Sequence, residues 1–268
     1  MITELGGKRI YPIGIGTWRM GGDALHSSNE NDKKEIRAIK FSLKSGMNVI
    51  DTAEIYGRGH AEELVAEAIK GRDRDDLFII SKVWPMNLRH DSVIRAAHGS
   101  LKRLKTKYID LYLIHWPNPL VSINETIGAM EELVDKGLVR HIGLSNFGVN
   151  EVKNAVAATK RYEIIANEIS YSLIKKDAED YLIPFCIKNK IKIIAHTPLG
   201  KGKVLKMKEV VDMAKKYDKK PAQIAINYLM KKSLPIPKAS DQNHIHEITG
   251  SVGWGLSIED YNSLSQIR

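Results

Sequence analysis

A single cysteine, Cys186, is all the thiol chemistry the chain carries, which excludes an internal disulfide and a cysteine-built zinc site. It lies in the helix-like run "YLIPFCIKNK", where a buried, inert thiol is expected. Uninterrupted apolar runs of membrane-spanning length are also lacking. Met1 is followed by "ITELGGKRI", without the basic start and apolar centre of a signal peptide, so a soluble, cytoplasmic protein with no membrane association is expected. His60, His90 and His115 sit near loop or strand ends, but no H-x-H, H-E-x-x-H or carboxylate cluster of ligand spacing accompanies them. A metal-dependent barrel hydrolase is therefore the weakest of three readings, and no bound metal is expected.

A dense basic arm is missing as well. The balance of 41 Lys plus Arg against 32 Asp plus Glu gives +9, which suits a phosphate-bearing ligand or a nucleic acid. Yet the lysines are spread through segments such as "DKKEIRAIKFSLKSG", where Ile36, Ile39 and Leu43 keep helical spacing and the charge reads as a solvated face. Nucleic acid binding is not expected. The dinucleotide fingerprint fails too: "GIGTWRMGG" begins correctly at Gly14 and Gly16, but Arg19 stands at the third glycine position and no helix opens there.

What is present is a repeated alternation. Eight short runs rich in Ile, Val and Leu recur: "IGIGTW", "MNVIDTA", "LFIISKV", "DLYLIHW", "HIGLSNF", "IIANEIS", "IKIIAHT" and "LPIPKAS". Between them lie amphipathic segments, such as "HAEELVAEAIKG", "DSVIRAAHGSLKRL" with Val93, Ala97, Leu101 and Leu104 on one face, and "NETIGAMEELVDKG" from Asn124 to Gly137. Strand and helix alternating eight times predict an α/β fold, a closed (β/α)8 TIM barrel formed as a single domain over residues 1–268. "ITELGGKRIYPIG", with Gly6 and Gly7 between two extended pieces, predicts an N-terminal β-hairpin. "KEVVDMAKKYD" and "PAQIAINYLMKK" in the last interval predict an extra helix.

In such a barrel every strand points its C-terminal end at one face, where active sites are built. Asp51, Lys82, His115, Ser145, Asn167, His196 and Lys238 are then expected to converge. Taken singly, each has a plainer role: Asp51 as a cap, Lys82 reaching to solvent, His115 hydrogen-bonded in the core, Tyr56 packing with its hydroxyl outward. Together they suggest chemistry. A phenol of pKa about 10 is a poor acid at neutral pH, and a nearby ammonium lowers that value. Lys82, held by Asp51, is expected to tune Tyr56 in this way, so that Tyr56 protonates a carbonyl oxygen while His115 orients it. The set suits carbonyl reduction, or its reverse, with hydride from a cofactor.

At these residues the sequence resembles a known family. "DTAEIYG", "ISKVW", "LIHWP", "GLSNF", "TPLG" and "IPKAS", in this order, are similar to the aldo-keto reductases, from "GIGTW" almost to the C-terminus. The resemblance implies a barrel that binds NADP(H), with NAD(H) as an alternative, and a catalytic tetrad of Asp51, Tyr56, Lys82 and His115. It implies that Ser145 and Asn146 hold the nicotinamide carboxamide, with Asp51, Glu168 and His196 and the backbone of Gly16, Thr17 and Trp18 at the same end. Thr197, Pro198, Leu199 and Gly200 would run along the pyrophosphate. Lys238, Ala239 and Ser240, with His244 and Glu247, would surround the adenosine.

Trp18, Trp84 and Trp116 would wall the substrate pocket beside Tyr56 and His115, with core packing an equal reading for Trp84. The substrate implied is a small carbonyl compound and the state a monomer. A cofactor-binding regulatory subunit with little turnover is the alternative the resemblance carries.

Four departures from the family pattern matter. Glu168 stands where Gln is usual; a carboxylate accepts from an amide NH2 but cannot donate to its oxygen. His196 replaces a stacking tyrosine and is open to protonation near neutral pH. His244 replaces an arginine, which removes a bidentate clamp for a 2'-phosphate and weakens the expected preference for NADPH. The chain also lacks the long C-terminal loop of many eukaryotic relatives, which predicts an open, permissive pocket.

Overall fold

Alternation within each apolar run sorts its side chains to the two sides of one sheet. In the computed structural model, which describes residues 3–267, the eight runs form eight parallel strands. A hairpin comes first, β1 (Thr3–Leu5) paired antiparallel with β2 (Lys8–Ile10). The barrel strands are β3 (Ile15–Gly16), β4 (Val49–Asp51), β5 (Phe78–Val83), β6 (Ile109–Ile114), β7 (Val139–Ser145), β8 (Ile164–Ser170), β9 (Lys192–His196) and β10 (Leu234–Pro235).

Each strand pairs with its successor, and Gly14 and Gly16 then donate backbone N–H groups to Pro235 O and Pro237 O at 3.0 and 3.1 Å, joining β3 to β10. The glycines permit this closure. A Cβ on Gly16 would lie 2.8 Å from Ile236 O, and one on Gly14 2.9 Å from the Ile236 side chain, so any side chain there would push the strands apart.

Helices cover the outside: α1 (Asp32–Lys44), α2 (His60–Ile69), α3 (His90–Leu104), α4 (Ile123–Asp135), α5 (Val149–Ala158) and α6 (Leu182–Lys188) follow successive strands. The interval before β10 carries both α7 (Lys208–Tyr217) and α8 (Pro221–Met230), and α9 (Gln242–Thr249) and α10 (Ile258–Ser265) come last. The extra helix expected there is present. Val93, Ala97, Leu101 and Leu104 are all buried on one face of α3. The helix expected from Asn124 begins one residue earlier, at Ile123, with Ser122 in the capping position. Among the described residues no helix is long and apolar enough to cross a membrane.

Inward side chains form a separate core inside the barrel, including Val49, Phe78, Ile80, Leu111, Leu113, Ala166, Ile194 and Leu234, and Leu5 and Ile10 of the hairpin pack against it. The larger core lies between sheet and helices and contains Cys186, which is fully buried. One expectation fails on strand parity. Asn167 does not point into the barrel: its amide donates to Phe147 O at 2.9 Å, on the helix side, and the inward residue is Glu168, one place along β8. A one-residue step in a strand moves a side chain to the opposite face.

Candidate active site

Asp51 ends β4, Lys82 is the penultimate residue of β5, and His115 follows β6 directly. Tyr56 reaches the same place from the loop after β4. That loop turns back through "YGRG", where Gly57 and Arg58 have φ of 55° and 56°; a Cβ on Gly57 would meet Gly21 O at 2.3 Å. The Lys82 ammonium donates to Asp51 Oδ1 at 2.5 Å, to Thr52 O at 3.2 Å and to Tyr56 Oη at 3.3 Å. The Tyr56 ring meets the His115 ring edge to face, centroids 5.7 Å apart. The four side chains of the expected catalytic set, three from strand ends and Tyr56 from a loop, therefore lie together, and all are buried.

The electrostatics differ from the expectation for Tyr56. Burial, the largest influence, pushes its phenol above the ordinary value; Lys82 pulls it down, but Asp51 and Glu168 push with burial. The pull of Lys82 does not prevail over burial, and its charge is shared with two carboxylates, Glu168 Oε2 being the second at 3.3 Å. Burial opposes the ammonium as well, yet Asp51, Glu168 and Tyr56 together hold Lys82 above its usual value and keep it charged. Burial, with Lys82 and His196, pushes the His115 imidazole down to about 2, so the ring is neutral. Its Nδ1 is buried and unpartnered, which leaves Nε2 for a substrate oxygen.

His196, at the end of β9, is likewise not a charged group at neutral pH. Burial first, then Lys82 and Lys175, push it down to about 4. Its ring is pinned at both nitrogens, Nδ1 to Thr197 Oγ1 and Nε2 to Asn146 Oδ1, each at 3.0 Å. The Asn146 amide in turn donates to His115 O at 3.1 Å and to Ser145 Oγ at 2.9 Å. Asn146 thus has its polar atoms committed within the protein, whereas the buried Ser145 hydroxyl accepts that bond and keeps its own O–H to give.

Gly16 ends β3 beside Asp51, and the Thr17 hydroxyl donates to Asp51 O at 2.9 Å, which fixes the turn into Trp18. Thr197 has a φ of 55°, and Gly200, also at 55°, donates its N–H to Thr197 O at 2.9 Å, so "TPLG" forms a tight turn with Pro198 buried and Leu199 partly exposed. Beyond β10, Ala239 is buried and Ser240 partly so. Lys238 is exposed there, and Glu35, Arg19 and Lys34 are the charged groups that face it. His244, in the first turn of α9, is occupied by Asp241, Nδ1 to Oδ2 at 2.6 Å, and Glu247 is partly exposed on the same helix.

Trp18 packs edge-on to Tyr56 at 4.9 Å and Trp84 edge-on to His115 at 5.5 Å, while Trp116, next to His115, is exposed. Two acids went unassigned in the sequence. Glu54 accepts from Trp84 N at 2.6 Å and from the Asn87 amide at 3.0 Å, tying down the loop that carries Trp84. Glu62, fully buried beneath β5, accepts from Ser81 Oγ at 2.6 Å and Arg103 Nε at 2.7 Å. Glu54 stands inside "DTAEIYG", where an acid in a segment obliged to turn over its neighbour was the available signal. The three histidines of the metal reading are apart. His60 bonds Asp32 and Glu63, His90 bonds Asp91 and Glu132, and no group of three ligand-type side chains among the described residues could hold a metal ion.

The model of the aldo/keto reductase family matches residues 12–268. The chain belongs to that family. Among the relatives of this aldo-keto reductase is the methylglyoxal reductase YeaE of Escherichia coli, 32% identical over 92% of this chain and 87% of the relative. A solved structure of the thermostable aldo-keto reductase Tm1743 with the inhibitor epalrestat superposes with a TM-score of 0.96 at 38% identity, covering both chains completely. An aldo/keto reductase from Klebsiella pneumoniae, solved with NADP and acetate, gives 0.90 at 30% identity over 99% of this chain and 94% of the other.

Proposed function

We propose that this aldo-keto reductase is an NADP(H)-dependent oxidoreductase that reduces aldehydes and ketones to alcohols, with Tyr56 as the proton donor. The observation that carries the reading is the Lys82 ammonium set between Asp51 at 2.5 Å and the Tyr56 hydroxyl at 3.3 Å, out of solvent. The residues at the ends of β7 and β8 fit a nicotinamide. The Ser145 O–H is free to donate to a carboxamide oxygen, and the buried Glu168 Oε2, 3.3 Å from the Lys82 ammonium but without a hydrogen bond, has a lone pair left to accept from its NH2. When bound, NADP(H) supplies the hydride or takes it up. Lys238 would place one point charge at the adenosine phosphate, with Ser240, His244 and Glu247 around it.

The proton chemistry follows from the chain's own groups. A raised phenol is fully protonated at neutral pH, and an alkoxide is a far stronger base than a phenolate, so Tyr56 gives its proton downhill as charge develops on the carbonyl oxygen. Lys82 steadies the phenolate left behind. Neutral His115 donates from Nε2 to the same oxygen, and Trp18 and Trp84 exclude water around it. Tyr56 set against a buried ammonium favours turnover over a regulatory role that only holds cofactor.

We infer one domain over residues 1–268, a cytoplasmic monomer, a small-molecule carbonyl substrate and no nucleic acid partner. Small 2-oxoaldehydes belong in the first panel because a relative is a methylglyoxal reductase. The test is loss of NADPH absorbance on adding an aldehyde, with and without chelator. Turnover that persists in chelator supports the reading. Tight cofactor binding without turnover replaces it with the regulatory one, and turnover abolished by chelator with a metal-dependent one.

A further inference from the structure

Two carboxyl groups share one ammonium at the centre of the site. Lys82 Nζ lies 2.5 Å from Asp51 Oδ1 and 3.3 Å from Glu168 Oε2, and all three side chains are almost wholly out of solvent. The remaining groups facing Glu168 carry no positive charge. Tyr56 comes from the loop after β4, His115 from the end of β6 and His196 from β9, the two imidazoles being neutral; Ser145 and Asn146 at the end of β7 are uncharged. Lys175, the other cation nearby, acts on His196. With both carboxyls ionised, the cluster would hold an uncompensated negative charge in a dry site, which like-charge repulsion and desolvation both oppose.

We propose that Asp51 and Glu168 share one proton beside Lys82, and that Glu168, as the neutral member, is a positioning residue that sets how readily Tyr56 releases its proton. Burial, followed by the Asp51 charge, pushes Glu168 well above the usual carboxylate range, in keeping with this. With the proton in place, Lys82 is balanced by Asp51 alone and a Tyr56 phenolate is tolerated. Once the proton leaves at high pH, a second negative charge stands beside the phenolate and resists its formation. The functional consequence rests on the carbonyl-reductase reading above: reduction, which needs the phenol, keeps its acid to high pH, and alcohol oxidation, which needs the phenolate, starts only at a higher pH.

The test compares the wild-type chain with Glu168→Gln, which keeps the shape and removes the proton-sharing group. In the chain without cofactor, the infrared spectrum in D2O at neutral pH should contain a protonated-carboxyl band that Glu168→Gln removes. The ultraviolet titration of tyrosinate, with Tyr56→Phe subtracted to isolate Tyr56, should move about one pH unit lower in Glu168→Gln. The pH limb of alcohol oxidation should move with it. Absence of the band, or a Tyr56 titration that Glu168→Gln leaves in place, overturns the proposal. Should Glu168→Gln not fold, Glu168→Met gives the same two spectroscopic readouts. Neither spectrum depends on turnover, so a chain that reduces no carbonyl would refute the functional reading and leave proton sharing to be judged by itself.

Discussion

Asp51 and Lys82 meet at 2.5 Å across the neighbouring strands β4 and β5, with neither side chain open to solvent. Removing one partner of such a pair strands the other charge, which costs about 3–5 kcal/mol. Lys82→Met is therefore expected to lose about that much stability in urea at neutral pH, along with most turnover. A change within about 0.5 kcal/mol, typical of a surface position, would contradict the pairing.

Tyr56→Phe keeps the ring that packs against Trp18 and His115 and removes only the hydroxyl facing Lys82. Carbonyl reduction should fall by about 10²–10⁴-fold, the usual loss for a general acid. NADPH affinity, followed by quenching of protein fluorescence, should be unchanged. Near-normal turnover would show that the acid is another group.

The barrel was legible because eight apolar runs alternate with helical segments, and each observed strand overlaps one of those runs. Strand-end position also indicated Asp51, Lys82 and His115. Less legible was anything set by face or by net charge. Asn167 and Glu168 are adjacent in sequence and opposite in direction, and only the pleat decides between them. The Tyr56 phenol was expected to fall because one ammonium was counted; burial, the largest influence, outweighs that ammonium, and the Asp51 and Glu168 charges push the same way as burial. Glu54 was hidden for a related reason, since its partners Trp84 and Asn87 lie on the next loop.

Stability should decline in mild acid through His115 and His196. Both are held neutral, pushed down to about 2 and about 4, while in the unfolded chain each takes up a proton near pH 6.5. The unfolded state then binds more protons below that pH, so stability falls as pH drops from about 6.5 toward 4. Urea midpoints from pH 7 to pH 4.5 should show the decline, and His196→Asn should make it shallower. An unchanged slope in that variant would mean that His196 is protonated in the folded chain.

Where the adenosine is proposed to lie, His244 is engaged by Asp241, and Lys238 is a single point charge. His244→Arg offers a planar donor pair to a 2'-phosphate, and a charged hydrogen bond is worth about 1.5–3 kcal/mol. The ratio of kcat/KM with NADPH to that with NADH should rise about tenfold or more. An unmoved ratio would place the phosphate away from residue 244.

The seam at Gly14 and Gly16 has a consequence for biosynthesis. It joins the barrel strand that leaves the ribosome first to the one that leaves last, and the two strands meet without room for a side chain between them. A nascent chain that has not yet reached Leu234 carries seven of the eight strands and two unpaired sheet edges, along β3 and along β9. Such edges recruit other chains. During that interval the polypeptide needs shielding, and the mouth of the barrel is completed only once β10 has been made.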